Sequence, residues 1–363
     1  MVLCTFCGQE KKLKDCIEGQ TGSICRSCLE IVTEIAEETA VTDSTAKSDW
    51  TPLELKVKID EIVIGQEEAK KQLIMEFHKR YHLNMPRSNV FFLGNSGVGK
   101  TFLVRTLAKL IEAPFYEFDA TTFSETGYKG RDVEGIIEEI AMQAKGDLDK
   151  IERAIVFIDE IDKVLTTTNS DGVNKVQHSL LKLIEGSTYT VDISRKERVT
   201  IDTSNIQFIV AGACIGIDAI KKERITPSRG IGFSQQTPTV LTNESSKITA
   251  KDLIKFGFIP EFVGRFPIIV QLKDLEESDY RDILMKSKQS VIPSYTELFQ
   301  GNDIELVIPE ETIAWLIQKT KEDGLGVRGV QNTLIQRFNT LMYDSFGDKP
   351  KKIVLNELEQ KNY

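Results

Sequence analysis

The stretch FFLGNSGVGKT, residues 91–101, decides the fold, because an apolar strand-like run leads directly into a glycine-rich loop. Gly94, Gly99, Lys100 and Thr101 stand in the spacing G-x-x-x-x-G-K-[ST] of a phosphate-binding loop. In such a loop backbone N–H groups converge on phosphate oxygens, the lysine reaches the β- and γ-phosphates, and the hydroxyl ligates Mg²⁺. The residues predicted to bind ATP and Mg²⁺ are Gly94, Asn95, Ser96, Gly97, Val98, Gly99, Lys100 and Thr101.

A second motif, IVFIDEIDK at residues 155–163, supports the same interpretation. Residues 155–158 are typical of a buried parallel strand, so Asp159 and Glu160 follow at its carboxyl end, where such sheets hold their ligands. Asp159 is predicted to hold Mg²⁺ through its water shell, and Glu160 to polarise the attacking water. The alternative is a glycine-rich turn and an acidic strand end that only resemble a nucleotide site. The presence of both motifs in the right order argues against it.

Composition and charge narrow the class of protein. The chain has 363 residues, of which 40% are hydrophobic and 28% charged, as in an ordinary soluble protein. The net charge of -9 argues against sequence-independent nucleic-acid binding, which needs a basic surface. No apolar run approaches the roughly 20 residues that span a bilayer, and the N-terminus lacks a signal-peptide pattern. We therefore expect a cytoplasmic protein that acts on neither nucleic acid nor membrane.

Four of the six cysteines form two C-x₂-C pairs, Cys4 with Cys7 and Cys25 with Cys28. Each pair presents two thiolates on one side of a tight turn, so the two pairs predict a tetrahedral Zn²⁺ site. Disulfides or buried thiols are the alternative, and the absence of a secretion signal disfavours disulfides. A site with four thiolates has no open position for water, which predicts a structural role for the zinc.

Short apolar strands alternate with helical segments from residue 52 to residue 210. This pattern predicts an α/β fold with a mostly parallel sheet and helices on both faces. Beyond Pro267 the pattern becomes mostly helical. We predict a zinc-binding domain with its linker at residues 1–45, a large α/β ATPase domain at 46–274, and a small, mostly helical domain at 275–363.

Several segments, together with the cysteine pairs, resemble the ClpX family in order and over nearly the whole chain. They are IVIGQEEAKKQL, the phosphate loop, ETGYKGRDVEGII, IVFIDEIDKV, LLKLIEG, DLIKFGFIPEFVGRFP and GVRGVQ. ClpX is an AAA+ unfoldase that feeds the ClpP peptidase. The resemblance implies an AAA+ P-loop NTPase that forms a homohexamer. Its expected substrates are tagged proteins, which it would unfold, and proteins that are already unfolded. Its expected partners are a ClpP-type peptidase, to which it delivers these substrates, and adaptor proteins.

The resemblance also implies roles for individual residues in ATP hydrolysis. Val63 and Ile64 match the segment that packs on adenine, although from the residues alone they are an apolar edge before a helix. Arg265 matches the arginine finger that reaches the nucleotide of a neighbouring subunit, and guanidinium suits a γ-phosphate in transit. Arg328 matches the second sensor arginine. The strand SNIQFIVAGAC carries no Asn or Thr at its end, so the first sensor is left unassigned.

Loops outside the ATP motifs are matched in the same way. Tyr128, in GYKG, matches the aromatic pore loop that grips substrate, and Ile231, Gly232 and Phe233 match the tripeptide that docks on ClpP. The chain departs from the family at Lys129 and at the run Arg195-Lys196-Glu197, which puts recognition of the usual degradation tags in doubt.

Three other functions remain open at this point. A ring remodeller that works without a peptidase would lack a docking tripeptide such as Ile231 to Phe233. A nucleic-acid-acting AAA+ protein, with the zinc segment as DNA reader, is disfavoured by the acidic net charge and the pore tyrosine. A scaffold that only binds nucleotide is disfavoured by the presence of Glu160, Arg265 and Arg328.

Overall fold

The computed structural model describes residues 2–5, 7–12, 16–18, 22–29, 50–123, 133–166, 170–194, 197–225, 247–287, 290–322, 326–345 and 351–355. The chain forms two compact units, Met1–Asp49 and Trp50–Tyr363. In the first unit, β1 (Val2–Leu3) pairs antiparallel with β2 (Glu10–Lys11), and β3 (Cys16–Glu18) pairs antiparallel with β4 (Ser23–Cys25). These short strands bring the two cysteine pairs together.

The second unit is built on a five-stranded parallel sheet of order β11-β5-β10-β7-β6. Its strands are β5 (Val90–Leu93), β6 (Phe115–Asp119), β7 (Ile155–Asp159), β10 (Gln207–Gly212) and β11 (Ile268–Gln271). An antiparallel hairpin of β8 (Thr188–Ser194) and β9 (Glu197–Asp202) lies between β7 and β10 in sequence. The predicted α/β fold with a parallel sheet is confirmed.

Both faces of this sheet are buried, because side chains alternate along each strand and both sets are apolar. One face belongs to a core with Phe91, Val156, Ile158, Phe208 and Val210, and the other to a core with Val90, Phe92, Ile155, Phe157 and Ile209. Helices α1 (Pro52–Asp60), α2 (Glu67–Tyr81) and α3 (Lys100–Leu110) cover the second face. The first face is covered by α4 (Gly135–Gln143), α5 (Leu148–Glu152), α6 (Ser170–Glu185), α7 (Ile217–Ile225), α8 (Ala250–Phe256) and α9 (Pro260–Val263).

Local sequence sets several of the helix starts. Thr51 caps α1 in a capping box with Glu54, with Pro52 at the first helical position. Thr249 and Asp252 form the same arrangement at the start of α8. Short 3₁₀ turns at Ala120–Thr122, Ile161–Thr166 and Thr203–Asn205 follow strands β6, β7 and β9.

The C-terminal part of the second unit is mostly helical, as predicted. It comprises α10 (Glu277–Met285), α11 (Val291–Gln300), β12 (Glu305–Val307), α12 (Glu310–Glu322), α13 (Gly326–Ser345) and β13 (Lys352–Val354), with β12 and β13 paired in parallel. These elements share a separate core around Leu316, Leu334 and Phe338. Within the described part of the chain, the helices are all too short or too polar to cross a bilayer.

Candidate nucleotide and metal sites

The phosphate loop connects the carboxyl end of β5 to the start of α3. Gly97 and Gly99 have φ of 80° and 96°, a backbone conformation that residues with a Cβ rarely adopt. At Gly94 an added Cβ would lie 3.1 Å from both the Leu272 Cβ and a Val98 methyl, so a larger residue would crowd the loop. Because α3 begins at Lys100, its unpaired N-terminal amides face the loop, which is the arrangement that binds phosphate.

Lys100 places its amine over this loop. The side chain is only 9% exposed, and its Nζ donates to the carbonyl oxygens of Gly94 at 2.7 Å and Asn95 at 3.1 Å. Burial lowers the pKa of the amine, while the carboxylates of Asp159 and Asp162 act in the opposite sense. An ammonium group held here is positioned to exchange carbonyl oxygens for phosphate oxygens.

The carboxyl end of β7 lies beside the phosphate loop. The Thr101 hydroxyl donates to Asp159 Oδ2 at 3.1 Å, so the two predicted Mg²⁺-binding groups are in contact. The Glu160 amide donates to Asp159 Oδ1 at 2.8 Å, and Glu160 has φ of 57°. Left-handed backbone at a residue with a Cβ is strained and concentrates at functional sites. The side chain of Glu160, predicted to orient the attacking water, is exposed next to Asp159.

Asp162 is a functional candidate that the sequence analysis missed. This buried carboxylate accepts hydrogen bonds from the amides of Ala213 at 3.2 Å and Cys214 at 3.1 Å, just past the end of β10. Gly212 leaves room for it, since a Cβ there would lie 2.7 Å from Asp162 Oδ1. The only sequence signal was the position of Asp162, three residues after Asp159 in the same motif.

The predicted adenine segment lies next to the phosphate loop through residues 272–274. The Gln66 side-chain amide makes two hydrogen bonds with the backbone of Lys273, at 2.8 and 3.0 Å. Leu272 packs against Gly94, and Asn95 Nδ2 donates to Asp274 Oδ1 at 2.7 Å. Val63 is buried in the same core as Val98 and Leu272, while Ile64 is half-buried. Hydrogen bonds and packing through residues 272–274 thus link the predicted adenine segment to the phosphate loop.

The helical C-terminal part reaches the phosphate loop at the start of α13. An ideal Cβ on Gly326 would lie 3.0 Å from the Cα of Gly97, so the two backbones are in close contact. Arg328 follows two residues later, in the first turn of α13, and its side chain is exposed. This contact places the backbone of Arg328, the candidate sensor arginine, at the edge of the sheet where the strands end and where Lys100 and Asp159 lie.

Arg265 lies at the opposite edge of the sheet. It precedes β11, which runs parallel to β5 with Ile268 beside Val90 and Gln271 beside Leu93. The phosphate loop follows the carboxyl end of β5, so the length of a four-residue strand, roughly 13 Å, separates the two. The Arg265 guanidinium is half-exposed and pairs with Glu185, the last residue of α6.

The four predicted zinc ligands form a cluster in the first unit. The sulfurs of Cys4, Cys7, Cys25 and Cys28 all lie within 4.8 Å of one another. The Sγ atoms of Cys7 and Cys25 are 3.9 Å apart, and the Cys25 amide donates to the Cys4 Sγ at 3.3 Å. Zn–S bonds of about 2.3 Å in a tetrahedron require sulfurs about 3.8 Å apart, so this donor set fits zinc.

Tyr128, Ile231, Gly232 and Phe233 lie outside the described residues, as do Lys129, Arg195 and Lys196. Glu197 begins β9 next to them.

The sequence is similar to a known domain family and to known proteins of two organisms. Residues 85–269 match a family described as AAA domain (Cdc48 subfamily). A protein of Treponema denticola named ATP-dependent Clp protease ATP-binding subunit ClpX is 33% identical over 391 residues, covering 98% of this chain and 93% of the relative. A protein of the same name from Bacteroides fragilis is 33% identical over 393 residues, covering 99% of this chain and 92% of the relative.

The parallel sheet, the phosphate loop and the domain match together define a P-loop ATPase of the AAA class. Two relatives that align along nearly their whole length narrow this class further. The chain belongs to the ClpX family of ATP-binding subunits.

Proposed function

We propose that this chain is the ATPase subunit of a two-component protease, which unfolds proteins, translocates them, and delivers them to a ClpP-type peptidase. The observation that carries the proposal is the alignment with two Clp protease ATP-binding subunits over at least 98% of the chain. The domain division proposed with it is a zinc-binding domain and linker at 1–45, a large ATPase domain at 46–274 and a small domain at 275–363.

The proposed roles in hydrolysis follow from position. Lys100 and the loop amides would hold the phosphates, Thr101 and Asp159 would hold Mg²⁺, and Glu160 would orient the attacking water. When bound, Mg²⁺ would neutralise charge between the β- and γ-phosphates. Val63 and Ile64 would pack on adenine.

Two arginines would complete the site from different directions. Arg328 would approach from the small domain, which contacts Gly97 through Gly326. Arg265 would act on the nucleotide of a neighbouring copy, because the length of β5 and β11 separates it from the phosphate loop of its own chain. Repeating such a head-to-tail contact closes a ring, and we propose a homohexamer.

The Cys4, Cys7, Cys25 and Cys28 cluster would bind one structural Zn²⁺. The described strands of the unit that contains it are two or three residues long, so the metal would supply most of the stability of this unit. Elemental analysis should find about one zinc per chain, and chelation should unfold the first unit with little change in basal ATPase activity. Metal-free protein with these four cysteines in disulfides would refute this proposal.

The function itself is tested with a fluorescent reporter that carries an unstructured tail. The protein should unfold it with ATP, and a ClpP-type peptidase should then degrade it. Deleting Ile231, Gly232 and Phe233 should abolish degradation and preserve ATPase activity and unfolding, since several docking loops on one ring act by avidity. Degradation that survives the deletion would refute the docking role. A parent ring that unfolds the reporter but binds no peptidase would favour the peptidase-independent remodeller.

A further inference from the structure

A closed ring of four ion pairs joins the first two helices of the ATPase unit. Its members are Lys56 and Asp60 on α1 and Glu67 and Lys70 on α2. Lys56 Nζ lies 2.5 Å from Asp60 and 2.6 Å from Glu67, and Lys70 Nζ lies 2.7 Å from Asp60 and 3.1 Å from Glu67. Each carboxylate uses one oxygen for each lysine, so every member has two partners.

Lys70 is the buried member of this ion-pair ring, with 1% of its side chain exposed. A buried ammonium is tolerated only when it is paired, so Lys70 depends on Asp60 and Glu67. Burial opposes ionisation of Asp60, but hydrogen bonds from Lys56 and Lys70 outweigh it and hold the pKa of this carboxyl below its ordinary value. The same two lysines, Lys56 first, lower the pKa of Glu67. Both carboxylates are therefore charged at neutral pH.

The ion-pair ring encloses a specific stretch of chain. Asp60 is the last residue of α1 and Glu67 the first of α2, so the ring fixes both ends of residues 61–66. That stretch contains Val63 and Ile64, and it ends at Gln66, which has φ of 59° and two hydrogen bonds to Lys273. Ion pairs hold the residues at both ends of this stretch, and hydrogen bonds hold Gln66 to Lys273. These six residues therefore have little freedom to shift.

We propose that Lys70 and its ion-pair partners are positioning residues for the nucleotide base. They hold residues 61–66 so that Val63 and Ile64 meet adenine at the correct distance from the phosphate loop. This inference rests on the proposed base contact of these two residues. The phosphate loop connects β5 to α3, and the four members of the ion-pair ring lie on α1 and α2, outside these two elements. Loss of the ring should therefore weaken binding of the base and spare binding of the phosphates.

The test compares a ligand that has a base with one that lacks it. In the 363-residue chain, Lys70→Met should raise the calorimetric Kd for ADP about ten-fold, because displaced Val63 and Ile64 would bury less of the base and about 1.4 kcal/mol of lost contact is a factor of ten. The Kd for tripolyphosphate should stay within two-fold of the parent value. Lys79→Met is the matched control, since it removes a lysine of α2 that pairs with Glu76 outside the ring. It should change neither constant.

Equal weakening of ADP and tripolyphosphate would show a merely structural role and overturn the proposal, as would unchanged binding of both. If Lys70→Met fails to fold, Lys56→Met replaces it, because this partly exposed lysine leaves Asp60 and Glu67 paired with Lys70. The same selective loss is expected, at a smaller size. Ile64→Ala tests the base contact itself. If it binds ADP normally, the contact is wrong; if it binds ADP weakly while both lysine variants bind normally, only the positioning role is wrong.

Discussion

At the carboxyl edge of the central sheet, loop amides, the Lys100 amine and the carboxylates of Asp159 and Glu160 come together, whereas the amino edge presents arginine side chains. Two arginines of the amino edge differ in what they bind. Arg87 is half-buried and donates to the carbonyl oxygens of Ile184 and Ile206, and burial lowers its pKa to about 10. Arg265 is half-exposed and pairs with a single surface carboxylate, Glu185.

The difference in bonding gives the two arginines different roles. One guanidinium stabilises the fold, whereas the other is available to bind another group. Arg87 donates to the carbonyl oxygens of Ile184, in the last turn of α6, and of Ile206, just before β10, so its guanidinium is committed to the fold. Arg265 has its backbone held, since Asn89 donates to its carbonyl oxygen at 3.2 Å, while its guanidinium can leave Glu185 at little cost. Under the proposed function, one chain carries two halves of a site that its own topology keeps apart. We propose that Arg265 acts on the nucleotide of a partner subunit, and the predictions for Arg265, Glu160 and Glu185 test that division.

The largest effect is expected at Arg265. Arg265→Ala should lower ATP turnover about 10³-fold, because an arginine that stabilises the transferred phosphoryl group contributes at least this much. Arg105→Ala, which removes an exposed arginine paired with Glu117, is the matched control and should be near normal. Steady-state ATPase assays on assembled rings provide the measurement.

Mixing inactive subunits sharpens this prediction. Rings assembled from equal amounts of Arg265→Ala and Glu160→Gln chains should regain roughly a quarter of the parent activity. A site between two subunits is complete when an Arg265→Ala chain supplies Glu160 and a neighbouring Glu160→Gln chain supplies Arg265. Random mixing produces this arrangement at one site in four. Mixed rings no more active than the separate variants would show that Arg265 acts within its own chain, or not at all.

A substitution at Glu160 tests the proposed catalytic role of the carboxyl edge of the sheet. Glu160→Gln should lower turnover about 10²-fold or more, the usual contribution of a group that accepts or orients a proton, while ATP binding stays unchanged. Glu138→Gln, on the exposed side of α4, serves as the control. Binding is measured by calorimetry and turnover by phosphate release. A variant with the parent turnover would remove Glu160 from the mechanism.

Sequence patterns predicted the carboxyl edge far better than the amino edge. Gly94, Lys100 and Thr101 occur within eight residues, and Asp159 follows a recognisable buried strand, so local spacing and strand direction place them together. The pairing of Arg265 with Glu185 spans 80 positions and depends on where α6 ends relative to β11. No local pattern encodes that relation, and only the resemblance to the ClpX family singled out Arg265.

Asp162 shows a different limit of sequence reasoning. Its partners are backbone amides of residues 213 and 214, and amides carry no residue-specific signal. Asn and Thr are absent at the end of β10, and the carboxylate of Asp162, from the 3₁₀ turn after the neighbouring strand β7, binds the backbone amides there. The ion-pair ring was missed for a related reason, because Lys56, Asp60, Glu67 and Lys70 are ordinary surface-type residues in sequence.

Replacing Asp162 should have an intermediate effect. Asp162→Asn keeps the shape but turns one oxygen into an amide that faces a backbone N–H, so we expect a loss of about 1–3 kcal/mol in unfolding free energy. Turnover should fall about ten-fold, since the strand end beside Lys100 would shift, and such displacements cost this much or more. Denaturant unfolding and ATPase assays measure both, with the exposed Asp149→Asn as control. Normal stability would mean that these two hydrogen bonds contribute nothing.

The smallest effect is expected at Glu185. If Glu185 holds Arg265 in competition with a partner nucleotide, Glu185→Gln should raise turnover, by at most about five-fold, because an exposed ion pair contributes about 1 kcal/mol or less. The increase should shrink at high salt, where the pair is already screened. It should also vanish in the Arg265→Ala background, since the two residues act through one contact. Glu223→Gln breaks an exposed pair with Lys255 elsewhere and should leave turnover unchanged. A decrease on Glu185→Gln would instead mean that Glu185 aims Arg265 at the neighbouring site, and the competition described here would be wrong.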